Sequence, residues 1–375
     1  MSKIFMIGDT HAYIYPLEYE KWMDILKQYF YNVYIPMLKE RAKPGDICVH
    51  TGDLFHNRTY VPLDVMVGMY MIMEDIAKIL PVHIITGNHD LFTKESTKYS
   101  YLYFFKDAKN INVYHEPCEI EFNNNKILLM PWIEQTKKQI DTLNKYKHCD
   151  YVFCHSDLKG AKLHSLSVSN NIKDDHKVGI EEFRHFKHVY SGHIHIVQQN
   201  NNFTFIGSTY HMDRSDRGNK KGIFILDTDT GEHEFIPNNT SPEFKKIVIK
   251  TDGDLSLLAH YDTSNSFTDL EVNNDLFIGN RKNKKLLMEI TQNKSFKEVK
   301  YINNNKNDDI IVKETDVIAN DTPMDISLGQ KDVINRIIEY GDRIQYPSDE
   351  VREGVVGLLK EITGLYNTEK GDLTI

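Results

Sequence analysis

Five times before residue 200, a short apolar run ends in a polar loop holding Asp, Asn or His, and this recurrence limits the folds open to the chain. The runs 3–7, 46–51, 82–86, 150–154 and 188–191 are rich in β-branched and aromatic residues, the pattern of strands buried on both faces. Between them, 17–41, 63–80 and 135–147 have helical spacing, with Pro36 expected to break the first. Alternating strands and helices predict a layered α/β architecture, in which ligands bind at the carboxyl ends of the strands. The polar loops are therefore expected to converge.

The first loop reads Gly8-Asp9-Thr10-His11, the second Gly52-Asp53-Leu54-Phe55-His56 and the third Gly87-Asn88-His89-Asp90. His155 follows the fourth run, and Gly192-His193-Ile194-His195 follows the fifth. Glycines beside such clusters let the backbone turn sharply and leave room for ions. Asp9 and His11 could instead cap a loop and Asp53 a helix, but capping leaves the His and Asn at three later strand ends unexplained. Of the 17 histidines, His50, His83, His115, His164 and His176 fall in no motif and read as ordinary core or surface residues. His211 and Asp213 follow the run 203–207; a solvated loop is the plainer reading, a substrate contact the alternative. Cys48, Cys118, Cys149 and Cys154 form no C-x-x-C pair, which argues against a thiolate zinc site or a disulfide framework.

A chain of 375 residues exceeds one small domain, so a catalytic domain with a smaller appendage is expected. The runs 203–207, 222–227 and 232–236 read as antiparallel strands, and the turn-rich segment 237–242 marks a boundary. Beyond it, 244–249, 285–290 and 309–313 read as strands of a small α+β cap, and 303–309 as a loop. The segments 331–340 and 351–366 read as helices, with Val351, Val355, Leu358, Leu359, Ile362 and Leu365 along one face of the second and Ser348 near its start as a cap. At 40% hydrophobic and 26% charged residues, the composition is that of a globular protein, with no apolar run near the roughly 20 residues of a membrane span. The start enters a strand-like run without a signal pattern, so a cytoplasmic protein is expected. A net charge of −9 argues against gripping nucleic acid by a broadly basic surface. Arg281, Lys282, Lys284 and Lys285, and also Lys220 with Lys221, form local basic clusters that read as solvated turns or as phosphate contacts. No G-x-x-x-x-G-K-[ST] phosphate loop occurs, so ATP hydrolysis would have to come from a partner.

Taken together, Gly8–His11, Gly52–His56, Gly87–Asp90, His155 and Gly192–His195 resemble the calcineurin-like metallophosphoesterase superfamily, and within it the SbcD-type nuclease subunits of double-strand-break repair complexes. The phosphoprotein phosphatases of that superfamily carry G-D-x-x-D-R-G and G-N-H-E, whereas this chain has G-D-L-F-H and G-N-H-D, the nuclease form. Pro131-Trp132, Gly160-Ala161, Arg217-Gly218 and Lys221-Gly222 add softer support. The segment 235–240 and the compact tail resemble the phage-encoded version, a recombination endonuclease small subunit. The resemblance implies a four-layer α/β/β/α sandwich over 1–240, a DNA-facing cap over 245–325, and a helical tail over 330–375 that binds the coiled coil of an SbcC-type ABC ATPase. It also implies a homodimer within a heterotetramer.

Residue by residue, the resemblance assigns Asp9, His11, Asp53 and His195 to one divalent ion and Asp53, Asn88, His155 and His193 to another, with Asp53 as the bridge. Mixed carboxylate, imidazole and amide ligands suit manganese, and two such ions can hold an in-line displacement at phosphorus. His89 would stabilise the transition state or protonate the leaving oxygen, Asp90 would orient it, and His56 would position the nucleotide being cut. The implied activity is manganese-dependent 3′ to 5′ exonuclease and single-strand endonuclease cleavage of DNA in repair and recombination. A small-molecule phosphodiesterase or phosphatase, and a non-catalytic DNA-end-binding scaffold, are the alternatives.

Overall fold

The computed structural model describes residues 2–15, 18–162, 177–278, 280–294, 296 and 298–302. The chain divides into two compact units, Met1–Glu314 and Thr315–Ile375, and everything described belongs to the first. The expected strand 309–313, loop 303–309, helices 331–340 and 351–366, the tail 330–375, His164 and His176 lie outside the described residues.

The elements run β1 (Lys3–Ile7), α1 (Tyr19–Tyr29), α2 (Ile35–Arg41), β2 (Ile47–His50), α3 (Leu63–Ala77), β3 (Val82–Ile85), β4 (Leu91–Thr93), β5 (Ser96–Ser100), β6 (Ile111–Tyr114), β7 (Cys118–Phe122) and β8 (Asn125–Met130). Then follow α4 (Thr136–Lys145), β9 (Tyr151–His155), β10 (His188–Gly192), β11 (Gln198–Asn200), β12 (Phe203–Phe205), β13 (Gly222–Asp227) and β14 (His233–Pro237). The last group is β15 (Glu243–Ile249), α5 (Asp252–Leu258), β16 (Ser266–Asn273), α6 (Arg281–Asn293) and β17 (Glu298–Ile302).

Two six-stranded sheets form the centre, ordered β14-β13-β1-β2-β3-β6 and β11-β12-β10-β9-β8-β7. The run β1-β2-β3-β6 is parallel, as is β8-β9-β10-β12, so in each sheet the carboxyl ends lie along one edge. Side chains alternate between layers because a strand's period is two. On β1, Phe5 and Ile7 pack toward α1, α2 and α3, while Ile4 and Met6 enter the space between the sheets. On β9, Tyr151 and Phe153 meet that same space, while Val152 and Cys154 pack on the far side with Leu143 of α4. The fold is thus a mixed α/β sandwich with helix, sheet, sheet and helix in succession. Phe5 and Phe153 are fully buried, and truncating either to alanine should cost about 3 to 5 kcal/mol.

Three expectations change. Pro36 does not break the first helix: a π turn at Phe30–Tyr34 precedes it, with the Ile35 N–H bonded to the Phe30 carbonyl, and this wider turn opens the ladder where proline lacks a donor. β12 is parallel to β10 in the second sheet, whereas β13 and β14 are the antiparallel pair and extend the first. Finally, 285–290 is not a strand but part of α6, whose Asn283, Leu287 and Ile290 face inward at helical spacing and whose start Asn280 caps.

The small sheet is parallel, ordered β15-β16-β17, with α5 and α6 as its crossovers. Its core gathers Ile247, Leu255, Leu270, Leu287 and their neighbours. Phe244 and Phe267 reach out of it into the main core, where Trp22 lies 5.4 Å from Phe267 and stacks on Tyr15 at 4.8 Å, ring centre to ring centre. No helix among the described residues is long and apolar enough to cross a membrane.

Candidate metal centre

The loops after β1, β2 and β3 meet those after β9 and β10 where the carboxyl edges of the two sheets adjoin. Asp9, His11, Asp53 and His193 all have positive φ, at 48°, 46°, 55° and 81°. Holding non-glycine residues there costs of order 1 to 3 kcal/mol each, and such strain concentrates at functional sites. Two glycines let the loops approach. A Cβ on Gly87 would lie 2.2 Å from Asp53 Oδ1, and one on Gly192 would lie 2.6 Å from the Thr51 carbonyl oxygen.

Donor atoms of Asp9, His11 and His195 fall within 4.8 Å of one another, and so do those of Asp53, His155 and His193. Asp53 reaches both groups, its Oδ2 lying 3.5 Å from His11 Nε2 and 3.2 Å from His155 Nε2. Asn88 Oδ1 sits 3.0 Å from His155 Nε2 and 2.8 Å from His193 Nδ1. His11 and His195 face each other through their Nε2 atoms at 3.1 Å. The seven expected ligands are therefore adjacent, and all but His193 and His195 are buried.

This donor set fits a pair of divalent cations. Asp9 Oδ1 accepts from the His193 backbone N–H at 2.9 Å, but Asp9 Oδ2 is buried without any hydrogen-bond partner, a costly arrangement that a cation relieves. Backbone and side-chain acceptors fix the imidazoles. His155 Nδ1 donates to the Thr51 carbonyl at 2.8 Å, which leaves Nε2 as its ligand atom. His193 Nε2 lies 3.2 Å from Asp157, which leaves Nδ1 to face Asn88.

Burial and mutual charge set the protonation of the group. Burial, with the like charge of Asp53, pushes the Asp9 carboxyl up to about 7 despite His155. Burial alone would raise Asp53 as well, but His155, His89 and His11 around it hold it well below the ordinary range. His155 is pushed up to about 9, because the attraction of Asp53 outweighs its burial. Burial keeps His11 and His195 well below the usual histidine value.

His56 and His89 stand on one side of this group. Their rings stack with centres 5.0 Å apart, and His56 Nδ1 is 3.1 Å from His11 Nδ1. His89 Nδ1 donates to the His56 carbonyl at 2.6 Å. Asp90 is expected from the sequence to orient His89, but its carboxylate accepts instead the backbone N–H groups of Asp53, Phe55 and Gly87 at 2.9, 3.1 and 2.9 Å. Its position three residues past Gly87 aims it at the loop backbones, so it ties the second and third loops together and the His56 carbonyl holds the imidazole.

Other expectations fall into place around the centre. His211 is buried with its ring nitrogens against the Asn219 carbonyl and the Phe244 N–H, so it does not project as a substrate group, and Asp213 caps the short turn Arg214–Asp216. Lys220 is exposed, but Lys221 is buried, pairs with Asp216, and donates to Ser208 Oγ at 2.8 Å and to the His195 carbonyl at 2.7 Å. It is neither a solvated turn nor a phosphate contact. Arg281, Lys282, Lys284 and Lys285 are exposed on α6. Asp157 belongs to no motif in the sequence, although its place two residues after His155 on the same loop is a usable signal. Glu119, His148 and Cys149 also bring donor atoms within 4.8 Å, but Glu119 is already paired with His148 and Lys126.

Comparison with known proteins agrees with this geometry. The family model for calcineurin-like phosphoesterases matches residues 2–214. Exonuclease subunit 1 of Enterobacteria phage T4 is 28% identical over 205 residues, covering 52% of this chain and 56% of that protein. The chain thus aligns with little more than half the length of this curated relative. Among solved structures, an archaeal phosphodiesterase aligns at 14% identity over 63% of this chain and 99% of its own, with a TM-score of 0.32. A protein of unknown function from Aquifex aeolicus aligns at 17% identity over 50% of this chain and 94% of its own, with a TM-score of 0.26. Both likenesses are too distant to bear on chemistry.

Proposed function

We propose, from the premise that the chain belongs to the calcineurin-like phosphoesterase family, that it is a metal-dependent DNA nuclease. The observation that carries this reading is the buried Asp9 carboxylate oxygen without a partner, set among six further donor side chains, His11 on the same loop and five from four other loops. In this reading Asp9, His11, Asp53 and His195 would hold one cation, and Asp53, Asn88, His155 and His193 the other. Manganese is the proposed metal, which the imidazole, carboxylate and amide set suits. Such ions polarise phosphoryl oxygens and supply a nucleophile from water near neutral pH.

The chain's own groups do the rest. Thr51 and Asp157 fix which nitrogen His155 and His193 present. His89, whose Nδ1–H is held by the His56 carbonyl, would face the scissile phosphate with Nε2, where as an imidazolium it gives a proton to the leaving oxygen and regains one from water. His56, stacked on it, keeps the adjoining nucleotide in line. Asp90 acts as a positioning residue through the loop backbones.

The finer reading is a 3′ to 5′ exonuclease and single-strand endonuclease for DNA double-strand-break repair and recombination, supported by the G-D-L-F-H and G-N-H-D loops and by the phage relative. It would act in the cytoplasm of a phage-infected host as a homodimer. The region 245–325 would face DNA, and 330–375 would bind an SbcC-type ATPase.

The test is nuclease assay of purified protein with manganese on linear duplex and single-stranded DNA, alone and with the ATPase partner, against chelator controls. Metal-dependent shortening from 3′ ends is expected. Failure to cut any DNA under both conditions would refute the reading, and faster turnover of nitrophenyl phosphates or cyclic nucleotides than of DNA would favour a small-molecule esterase. Unchanged repair activity in His89→Ala would favour a scaffold.

A further inference from the structure

Beside the candidate metal centre, the hairpin of β4 and β5 carries aromatic side chains that no described residue covers. Phe92 is 55% and Tyr99 62% exposed, and with Arg58, Tyr101 and Tyr103 they line a cleft of about 250 Å³. The hairpin is firmly tied at its base: Leu91 is buried, the Tyr101 N–H bonds the Asp90 carbonyl at 3.2 Å, and the Tyr101 ring packs against Phe55 with centres 5.7 Å apart. The cleft therefore continues directly from the loops that hold His56, His89 and Asp90.

Arg58 supplies a second, independent observation. Its Nε is buried with no hydrogen-bond partner, an arrangement rare for so strong a donor. A guanidinium whose Nε lacks a partner, set beside exposed rings, suits a phosphate followed by a base, since Arg binds phosphate through a fixed fork and bases stack on aromatic faces. Lys98 adds positive charge, its Nζ lying 5.1 Å from the centre of the Tyr99 ring. Local positive charge of this kind also answers the net charge of −9, which argues against a broad electrostatic grip. The basic groove at Arg214 and Arg217 differs, because there Asp269 pairs with both cations.

We propose that this cleft takes one unpaired nucleotide of the DNA strand being cut, its base against Phe92 and Tyr99 and its phosphate on Arg58. A base inside a duplex has both faces stacked, so only a frayed, flipped or single-stranded nucleotide can use the rings. The inference rests on the nuclease reading and deepens it: the site selects strand ends or single strands by rewarding an unstacked base beside the scissile phosphate.

The test uses the full chain loaded with manganese. A fluorescein-labelled, phosphorothioate oligothymidylate is bound to the wild type and to the Phe92→Ala/Tyr99→Ala variant, and anisotropy gives each Kd. Hydrolysis of bis-p-nitrophenyl phosphate is followed in parallel. Stacking of this kind is worth roughly five- to 150-fold per base, so binding should weaken by that much while ester hydrolysis stays within about twofold. Phe92→Tyr/Tyr99→Phe, which keeps both rings, should bind like the wild type. An abasic oligonucleotide should bind the wild type as weakly as the alanine variant binds the normal one. Equal affinity in wild type and alanine variant would overturn the proposal, and so would loss of ester hydrolysis in step with binding, because the hairpin would then act through the metal loops. If the wild type binds the oligonucleotide but never cuts ordinary DNA, the nuclease reading fails while the binding result still decides the cleft.

Discussion

Lys221 shows how far the centre depends on residues outside it. Its ammonium is buried between the Asp216 carboxylate, Ser208 and the carbonyl of His195, so it fixes the backbone that carries one of the proposed metal ligands. Lys221→Met would leave Asp216 buried and unpaired, a loss of about 3 to 5 kcal/mol. We expect chemical denaturation to report that loss, and Lys221→Met/Asp216→Asn to recover most of it; a change below about 1 kcal/mol in the single variant would contradict the account. At this scale the sequence was readable where a loop motif repeated and unreadable where burial decided. Asp9, His11, Asp53, Asn88, His155, His193 and His195 were all singled out by strand-end position. Lys221 looked like half of a basic turn with Lys220, because nothing local shows that one of two adjacent lysines points inward.

Among the elements, the parallel strands were legible because burial on both faces produces continuous apolar runs. The segment 285–290 was misread because Leu286, Leu287, Met288 and Ile290 make an apolar run that is ambiguous over a short window. What decides for α6 is the Asn280 cap and the inward spacing of Asn283, Leu287 and Ile290. The hairpin of β4 and β5 is not legible in the sequence because its exposed rings carry no alternation toward a core. Between β15 and β16 and the main layers, Phe244 and Phe267 join Trp22 in one core. Phe267→Ala should therefore cost about 3 to 5 kcal/mol, and thermal unfolding of residues 1–314 should remain one transition. Separate melting of a cap and a catalytic domain would show that the shared aromatic cluster does not couple them.

For the whole molecule, pH and metal should govern stability together. Burial pushes His83 and His188 down to about 4, while the unfolded chain titrates near 6.5. Between those values the unfolded state binds protons that the folded state refuses, so stability is full above about 6.5 and falls as pH drops toward 4. Urea midpoints measured in chelator should decline over that window, and less steeply in His83→Asn/His188→Gln; a flat profile in the wild type would contradict the assignment. The layered architecture was legible in outline from alternating strands and helices, but the pairing of β12 and the extension of the first sheet by β13 and β14 depend on long-range contacts that local pattern does not encode. The proposed function rests on seven side chains that would hold two cations, with Asp53 shared between them. Elemental analysis after manganese loading and dialysis tests this directly: the account predicts about two ions per chain in the wild type, about one in Asp9→Ala, and almost none in a folded Asp53→Ala. Equal metal content in wild type and Asp53→Ala would contradict it.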